Sequence, residues 1–321
     1  MSVADGTPQV SSVGIVGAGV IGSGWVMHFL RMGLDVQVYD PFPGTDERLR
    51  REVDETWETL AVLGLRDGAS PDRLGVSTSL EDVVGAVDFV QESSPENLES
   101  KIDVFARMDA AAADGVVLAT STSGLSITAI QSGCANPERV IVGHPFNPPY
   151  IMPLVEVVRG ERTDKGLAEW TTAFYEHYGK RPILLEVEVP GFVATRLQEA
   201  LWREMLHIVA EGEATVEQCD AAVVYGPGPR WAFMGPALTF HLGGGEGGMA
   251  ATLDQFGPTL QEPWSRLMGP ELTEELSERL IEGANKLAAG RSIPELRRER
   301  DLGLIELMSA LDRVTGVKED K

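Results

Sequence analysis

The chain has 321 residues, room for two domains of the usual ~100–200 residues, and its 43% apolar and 24% charged content is that of a soluble globular enzyme. With 27 basic against 49 acidic side chains, the formal charge is −22, which argues against nucleic acid and anionic membranes as partners because the surface repels phosphate. Cys134 and Cys219 stand far apart and without ligand spacing, so neither a disulfide framework nor a metal site is expected.

Short β-branched runs alternate with amphipathic stretches through the first half, the pattern of a parallel sheet flanked by helices. The predicted strands are Val13–Gly17, Val36–Asp40, Val87–Glu92, Val116–Thr120, Val140–His144 and Leu154–Val158, with Pro182–Val187 at the sheet edge. Helices are predicted between them over Val20–Met32, Asp46–Val62, Asn97–Ala113 and Asp164–Tyr178. Pro190 and Gly191 mark a break. Beyond it Val193, Leu197, Leu201 and Ile208 recur at helical spacing, and the remainder reads as helices joined by Gly/Pro-rich turns. The expectation is a doubly wound Rossmann-type domain over 1–189 followed by an all-helical domain over 190–321. The first apolar run, Val13–Ile21, has no basic stretch ahead of it, is broken by glycines and is too short to span a bilayer, so a cytoplasmic location is expected.

The first predicted strand runs into Gly17-Ala18-Gly19-Val20-Ile21-Gly22 and then into a helix. In such a motif Gly17 makes the tight turn, Gly19 lets the backbone approach a pyrophosphate, and Gly22 lets helix and strand pack closely. The amides of Val20, Ile21 and Gly22 open the helix, where an anion is favoured. Asp40 ends the next strand, eighteen residues beyond Gly22. A carboxylate there binds ribose hydroxyls and repels a 2′-phosphate, which points to NAD rather than NADP as cofactor.

His144 ends an apolar strand, where sheets of this kind present ligands. Twelve residues on, Glu156 interrupts the apolar run Leu154–Val158. A carboxylate there is costly unless paired, and His144 is the natural partner: the carboxylate would fix its tautomer and stabilise the imidazolium formed on taking a proton. Thr120-Ser121-Thr122-Ser123 ends another strand and offers hydroxyls to a substrate oxygen. His28, His177, His207 and His241 have no comparable context and read as structural.

Taken together, the glycine motif, Asp40, Glu92-Ser93-Ser94-Pro95-Glu96-Asn97, Thr122-Ser123, His144-Pro145-Phe146-Asn147-Pro148, Leu154-Val155-Glu156-Val157 and Pro190-Gly191-Phe192 resemble the 3-hydroxyacyl-CoA dehydrogenase family. The resemblance spans nearly the whole chain in the family's order. It implies hydride transfer between a secondary 3-hydroxyl and NAD, with His144 as general base, Glu156 as its orienting partner, and Ser123 and Asn147 as polar contacts to substrate and nicotinamide. It further implies that Glu96 and Lys101 lie along the cofactor and that the helical domain forms a homodimer.

Thr195 stands where the family usually carries Asn after Pro-Gly-Phe, and the stretch from Glu47 to Asp72, where the family tends to place lysines against CoA phosphates, contains none. The second half resembles a narrower branch whose small-molecule substrate bears a trimethylammonium group. Such a group donates no hydrogen bond and is held over aromatic faces at about 0.5–2 kcal/mol each. Tyr225, Trp231, Phe233 and Phe240 offer such faces, and Arg230 or Arg196 is a cationic partner for a substrate carboxylate. A hydroxyacyl-CoA, L-gulonate, and a non-catalytic NAD-binding role stand as the alternatives.

Overall fold

The alternating apolar and amphipathic segments of the first half build a sheet with helices on both faces. The structure is a computed structural model describing residues 3–4, 7–8, 10–257, 265 and 268–315, with backbone alone at 3, 4, 7, 8, 233, 314 and 315. A two-residue hairpin, β1 (Val3–Ala4) and β2 (Thr7–Pro8), precedes the sheet. The sheet strands are β3 (Ser12–Val16), β4 (Asp35–Tyr39), β5 (Leu74–Ser77), β6 (Phe89–Glu92), β7 (Val117–Thr120), β8 (Val140–Pro145), β9 (Leu154–Val158) and β10 (Arg181–Leu185). Their spatial order is β10-β9-β8-β7-β6-β3-β4-β5. The chain therefore winds outward from β3 in one direction through β4 and β5, then returns to wind the other way from β6. That reversal opens a crevice between the carboxyl ends of β3 and β6, where such sheets bind dinucleotides.

Residues alternate between two cores, as strand pleating requires. Ile15, Phe89, Val117, Ile141 and Val157 face α1 (Val20–Arg31), α2 (Thr45–Val62) and α6 (Lys165–His177). Their neighbours Val16, Val90, Leu118, Val142 and Val158 face α3 (Leu80–Val84), α4 (Leu98–Ala111) and α5 (Ile127–Ile130). Every residue of β6, β7 and β8 is buried, including the polar Gln91, Glu92, Thr120 and His144 at their carboxyl ends.

Two features depart from the sequence reading. The sheet is not wholly parallel: β8 and β9 pair antiparallel. Also, β5, α3 and α5 were not anticipated. Each is only four or five residues long, and β5, with Gly75 inside it, pairs with β4 alone at the sheet edge.

The chain divides into two compact units, Met1–Thr195 and Arg196–Lys321. Beyond the sheet come α7 (Ala194–Ala210), α8 (Val216–Tyr225), α9 (Gly228–Phe233), α10 (Pro236–Gly243), α11 (Gly248–Phe256), α12 (Glu274–Ala288) and α13 (Ile293–Thr315). Val209, Val216, Cys219 and Leu276 form a small core in the second unit. There α12 approaches α8 at Gly283, where a Cβ would lie 2.4 Å from the Val216 side chain. Among the described residues no helix is long and apolar enough to cross a membrane.

Candidate active site

The glycine turn after β3 is shaped by contacts that exclude side chains. Gly17 adopts φ +91°, and a Cβ on it would lie 2.7 Å from the Ser94 amide nitrogen; one on Gly22 would lie 1.9 Å from the Gly17 carbonyl oxygen. At Gly19, by contrast, a Cβ would meet nothing within 4 Å, so the turn has open space over it. Gly19 caps α1 without any side-chain hydrogen bond, leaving the amides that open the helix to an incoming anion. Asp40 faces the same turn: its Oδ2 accepts from the Ala18 amide at 2.7 Å and its Oδ1 from the Phe42 amide at 2.9 Å. A carboxylate has about four lone-pair sites, so acceptor capacity remains for a diol. Arg48 on α2 steadies the turn by donating to the Ala18 carbonyl at 2.6 Å. These residues fit a dinucleotide.

His144 and Glu156 are directly opposed across the antiparallel β8–β9 pair. His144 Nδ1 lies 2.9 Å from Glu156 Oε2, and Glu156 is fully buried. Its other oxygen accepts from the amides of Val193 and Ala194, both at 2.9 Å. Burial works to raise the Glu156 pKa, but the hydrogen bonds from His144 and from the Ala194 and Val193 amides outweigh it and hold the carboxyl below its ordinary value. An ionised carboxylate only accepts, so Nδ1–H donates to it and the Nε2 lone pair is the free one. Phe146 and Phe192 flank the imidazole, each with ring centroids 5.6 Å away. The pair can take up a proton at Nε2 and neutralise the charge that results.

Ser123 is exposed just beyond β7, the strand beside β8. Its amide donates to Glu96 Oε1 at 2.9 Å, and the buried Thr122 hydroxyl donates to the same oxygen at 2.6 Å, so Glu96 fixes the Ser123 turn. Asn147 is exposed on the loop after β8, and Thr195 follows the Val193–Ala194 amides that hold Glu156.

Lys101 is 1% exposed. It donates to both oxygens of the fully buried Glu92, at 2.8 and 3.0 Å, and to the Ser94 carbonyl at 3.2 Å, with Glu96 at 3.7 Å. Thr120 also donates to Glu92, at 2.6 Å, as does the Ser94 amide at 2.5 Å. Lys101 thus lies beneath the β6 loop and bears on the site through Glu92 and Glu96. Glu92 entered the sequence reading only as a strand end and as part of the family-like run over residues 92–97; its buried pairing with Lys101 was not anticipated.

In the second unit Tyr225 ends α8, 84% exposed, while Arg230 and Trp231 lie exposed on α9 and Phe240 on α10. The side chain of Phe233 lies outside the described residues.

Residues 12–188 match the 3-hydroxyacyl-CoA dehydrogenase NAD-binding domain and residues 191–279 the C-terminal domain of the same family. The chain is 55% identical over 312 residues to an L-carnitine dehydrogenase of Streptomyces coelicolor, covering 97% of this chain and 98% of the relative. It is 54% identical over 309 residues to an L-carnitine dehydrogenase of Nocardiopsis dassonvillei, covering 96% and 94%. Among solved structures it resembles a 5-formyl-3-hydroxy-2-methylpyridine 4-carboxylic acid 5-dehydrogenase, described as an NAD+-dependent dismutase, with TM-score 0.82 and 26% identity, covering 95% of this chain and 99% of that one.

Proposed function

Because the chain belongs to the 3-hydroxyacyl-CoA dehydrogenase family, and is with it an NAD-dependent oxidoreductase acting on a CH–OH group, we propose that it oxidises the 3-hydroxyl of L-carnitine to 3-dehydrocarnitine. The observation that carries this reading is the full-length similarity to L-carnitine dehydrogenases, which extends through the helical unit as well as the NAD-binding one.

The chemistry of the second unit agrees. L-Carnitine carries a trimethylammonium group, and Tyr225, Trp231 and Phe240 are exposed aromatic faces of the kind that bind one. Arg230 is the candidate partner for the carboxylate. A net charge of −22 favours the cationic end of such a substrate over a polyphosphorylated CoA ester. Thr195, in place of the family's usual Asn, accompanies that change of substrate.

NAD, when bound, supplies the hydride acceptor. Gly17, Gly19, Gly22 and the amides of Val20 and Ile21 hold its pyrophosphate, and Asp40 holds the ribose diol. His144 Nε2 takes the proton of the substrate hydroxyl, and Glu156 neutralises the imidazolium as it forms. Ser123 and Asn147 hold the reacting oxygen in line, and Glu96, supported by Lys101, keeps Ser123 in place.

The helical unit also leaves Leu197, Leu201 and Trp202 exposed on α7 and Leu302 and Leu307 on α13. A surface so apolar suits a second copy of the chain, and a homodimer through this unit belongs to the proposal. A cytoplasmic location completes it, consistent with two free cysteines.

The test is NADH formation with L-carnitine, D-carnitine, L-gulonate and L-3-hydroxybutyryl-CoA in parallel. Turnover of L-carnitine alone is the expected result. Faster turnover of the CoA ester or of gulonate would overturn the substrate while leaving the family assignment intact.

A further inference from the structure

A buried network under the crevice settles the direction of one hydroxyl. Gln91, fully buried on β6, donates through Nε2 to the Gly143 carbonyl at 3.2 Å and to Ser121 Oγ at 2.8 Å, while its Oε1 accepts from Tyr175 at 2.5 Å. The Gly143 carbonyl and the Tyr175 hydroxyl fix which end of the amide is nitrogen. Ser121 Oγ also accepts from Trp25 Nε1 at 3.1 Å. A hydroxyl has two lone pairs and one proton. Both lone pairs of Ser121 are taken by N–H donors, so at its 2.9 Å contact with Ser93 Oγ the proton comes from Ser121. Ser93 is thereby an acceptor toward Ser121, and among the described residues no group takes its own proton.

Ser93 is half-buried and is the first residue past β6, on the crevice between β3 and β6. It touches the glycine turn, since a Cβ on Gly17 would lie 2.8 Å from the Ser93 carbonyl oxygen. Asp40, the ribose ligand of the adenine half, lies just past β4 on the far side of β3. The β6 side of the crevice falls to the other half of the dinucleotide, and the same network reaches Gly143, the neighbour of His144.

We propose that Ser93 is a cofactor-binding residue whose hydroxyl, turned outward by Ser121, donates a hydrogen bond to the nicotinamide-ribose half of bound NAD. This rests on the reading of the glycine turn and Asp40 as the adenine-side site, and AMP binding tests that reading separately.

The experiment is equilibrium titration of the full-length wild type and Ser93→Ala with NADH, followed by fluorescence, and with AMP, followed by calorimetry. Removing one hydrogen bond should weaken NADH binding roughly 3- to 10-fold while AMP binding stays within about 2-fold. Ser93→Cys, nearly isosteric but a weak donor, should behave as Ser93→Ala and guards against a folding defect in the first variant. Unchanged NADH affinity in both variants would overturn the proposal, as would equal weakening of NADH and AMP. A rise in hydroxy-acid KM with NADH affinity unchanged would also overturn it, moving Ser93 to the substrate. If the wild type failed to bind AMP, the adenine-side reading would fall, and the NADH comparison would still decide Ser93.

Discussion

Glu156 Oε1 accepts the amides of Val193 and Ala194, and Glu156 Oε2 faces His144 Nδ1 at 2.9 Å. This arrangement makes the histidine tautomer depend on the carboxylate. In Glu156→Gln the amide oxygen must stay with the two backbone donors, so the NH2 group turns toward Nδ1. Nδ1 then has to accept, the proton moves to Nε2, and the lone pair needed for a general base is lost. The expected outcome is a fall in kcat of about 10²–10⁴-fold, with NADH affinity nearly unchanged. Steady-state rates with the preferred hydroxy acid, alongside NADH titration, check it. A Glu156→Gln enzyme with wild-type kcat would remove Glu156 from the mechanism.

Cofactor choice turns on Asp40, which serves both the ribose and the glycine turn through its bond to the Ala18 amide. In Asp40→Ser the charge that repels a 2′-phosphate is gone. Loss of a hydrogen bond to a charged group should raise KM for NAD by about 10- to 100-fold, while KM for NADP falls. Kinetics with both cofactors measure the ratio. A variant that still rejects NADP would show that discrimination does not rest on the Asp40 charge.

The His144–Glu156 pair was legible because one carboxylate interrupted an apolar strand. The direction of pairing was not, since an apolar run carries no polarity. Yet only residues 146–153 separate β8 from β9, too few for the crossover of a dozen or more residues that a parallel pair needs; chain length alone pointed to antiparallel pairing. Asp40 and the glycine motif were legible because they depend on local backbone conformation and spacing. Lys101 and Glu92 were named through the family resemblance, but their pairing was not legible, because lysine is almost never fully buried unless paired and nothing in the local pattern joined it to a carboxylate nine residues away. The chain from Gly143 through Gln91 and Ser121 to Ser93 joins three neighbouring strands, and no local pattern announces it.

The buried Glu92–Lys101 pair yields a stability prediction. Lys101→Met strands an ionised carboxylate beneath the β6 loop, and breaking such a pair costs about 3–5 kcal/mol. Glu92→Gln combined with Lys101→Met removes both charges; the Gln oxygen stays with the Ser94 amide and its NH2 group meets Thr120 Oγ1, which turns to accept, so the double variant should be more stable than Lys101→Met alone. Urea unfolding of the wild type, Lys101→Met, Glu92→Gln and the double variant gives the comparison. Additive losses in the double variant would mean that the pair contributes no coupling.

His28 provides a pH-dependent test of the core beneath α1. It is 1% exposed, and burial first, then the positive charges of Lys180 and Arg31, push its pKa well below the ordinary 6.5 despite an opposing contact with the Tyr178 backbone. In the unfolded chain His28 takes up a proton near pH 6.5, whereas in the folded protein it stays neutral well below that. The His28 contribution to stability is therefore whole above pH 6.5 and falls as pH drops below it, by about 1.4 kcal/mol per pH unit until the folded pKa is reached. His28→Met should flatten that slope, with a smaller residue left by His177, whose pKa is also lowered by burial and by Arg66. Glu156, with a depressed carboxyl pKa, contributes stability that is present above its ordinary value of 4.5 and is lost only as pH falls further, so the two effects separate along the pH axis. Urea midpoints at pH 7.5, 6.5 and 5.5 measure the slope, and identical slopes in wild type and His28→Met would show that His28 is protonated in the folded core.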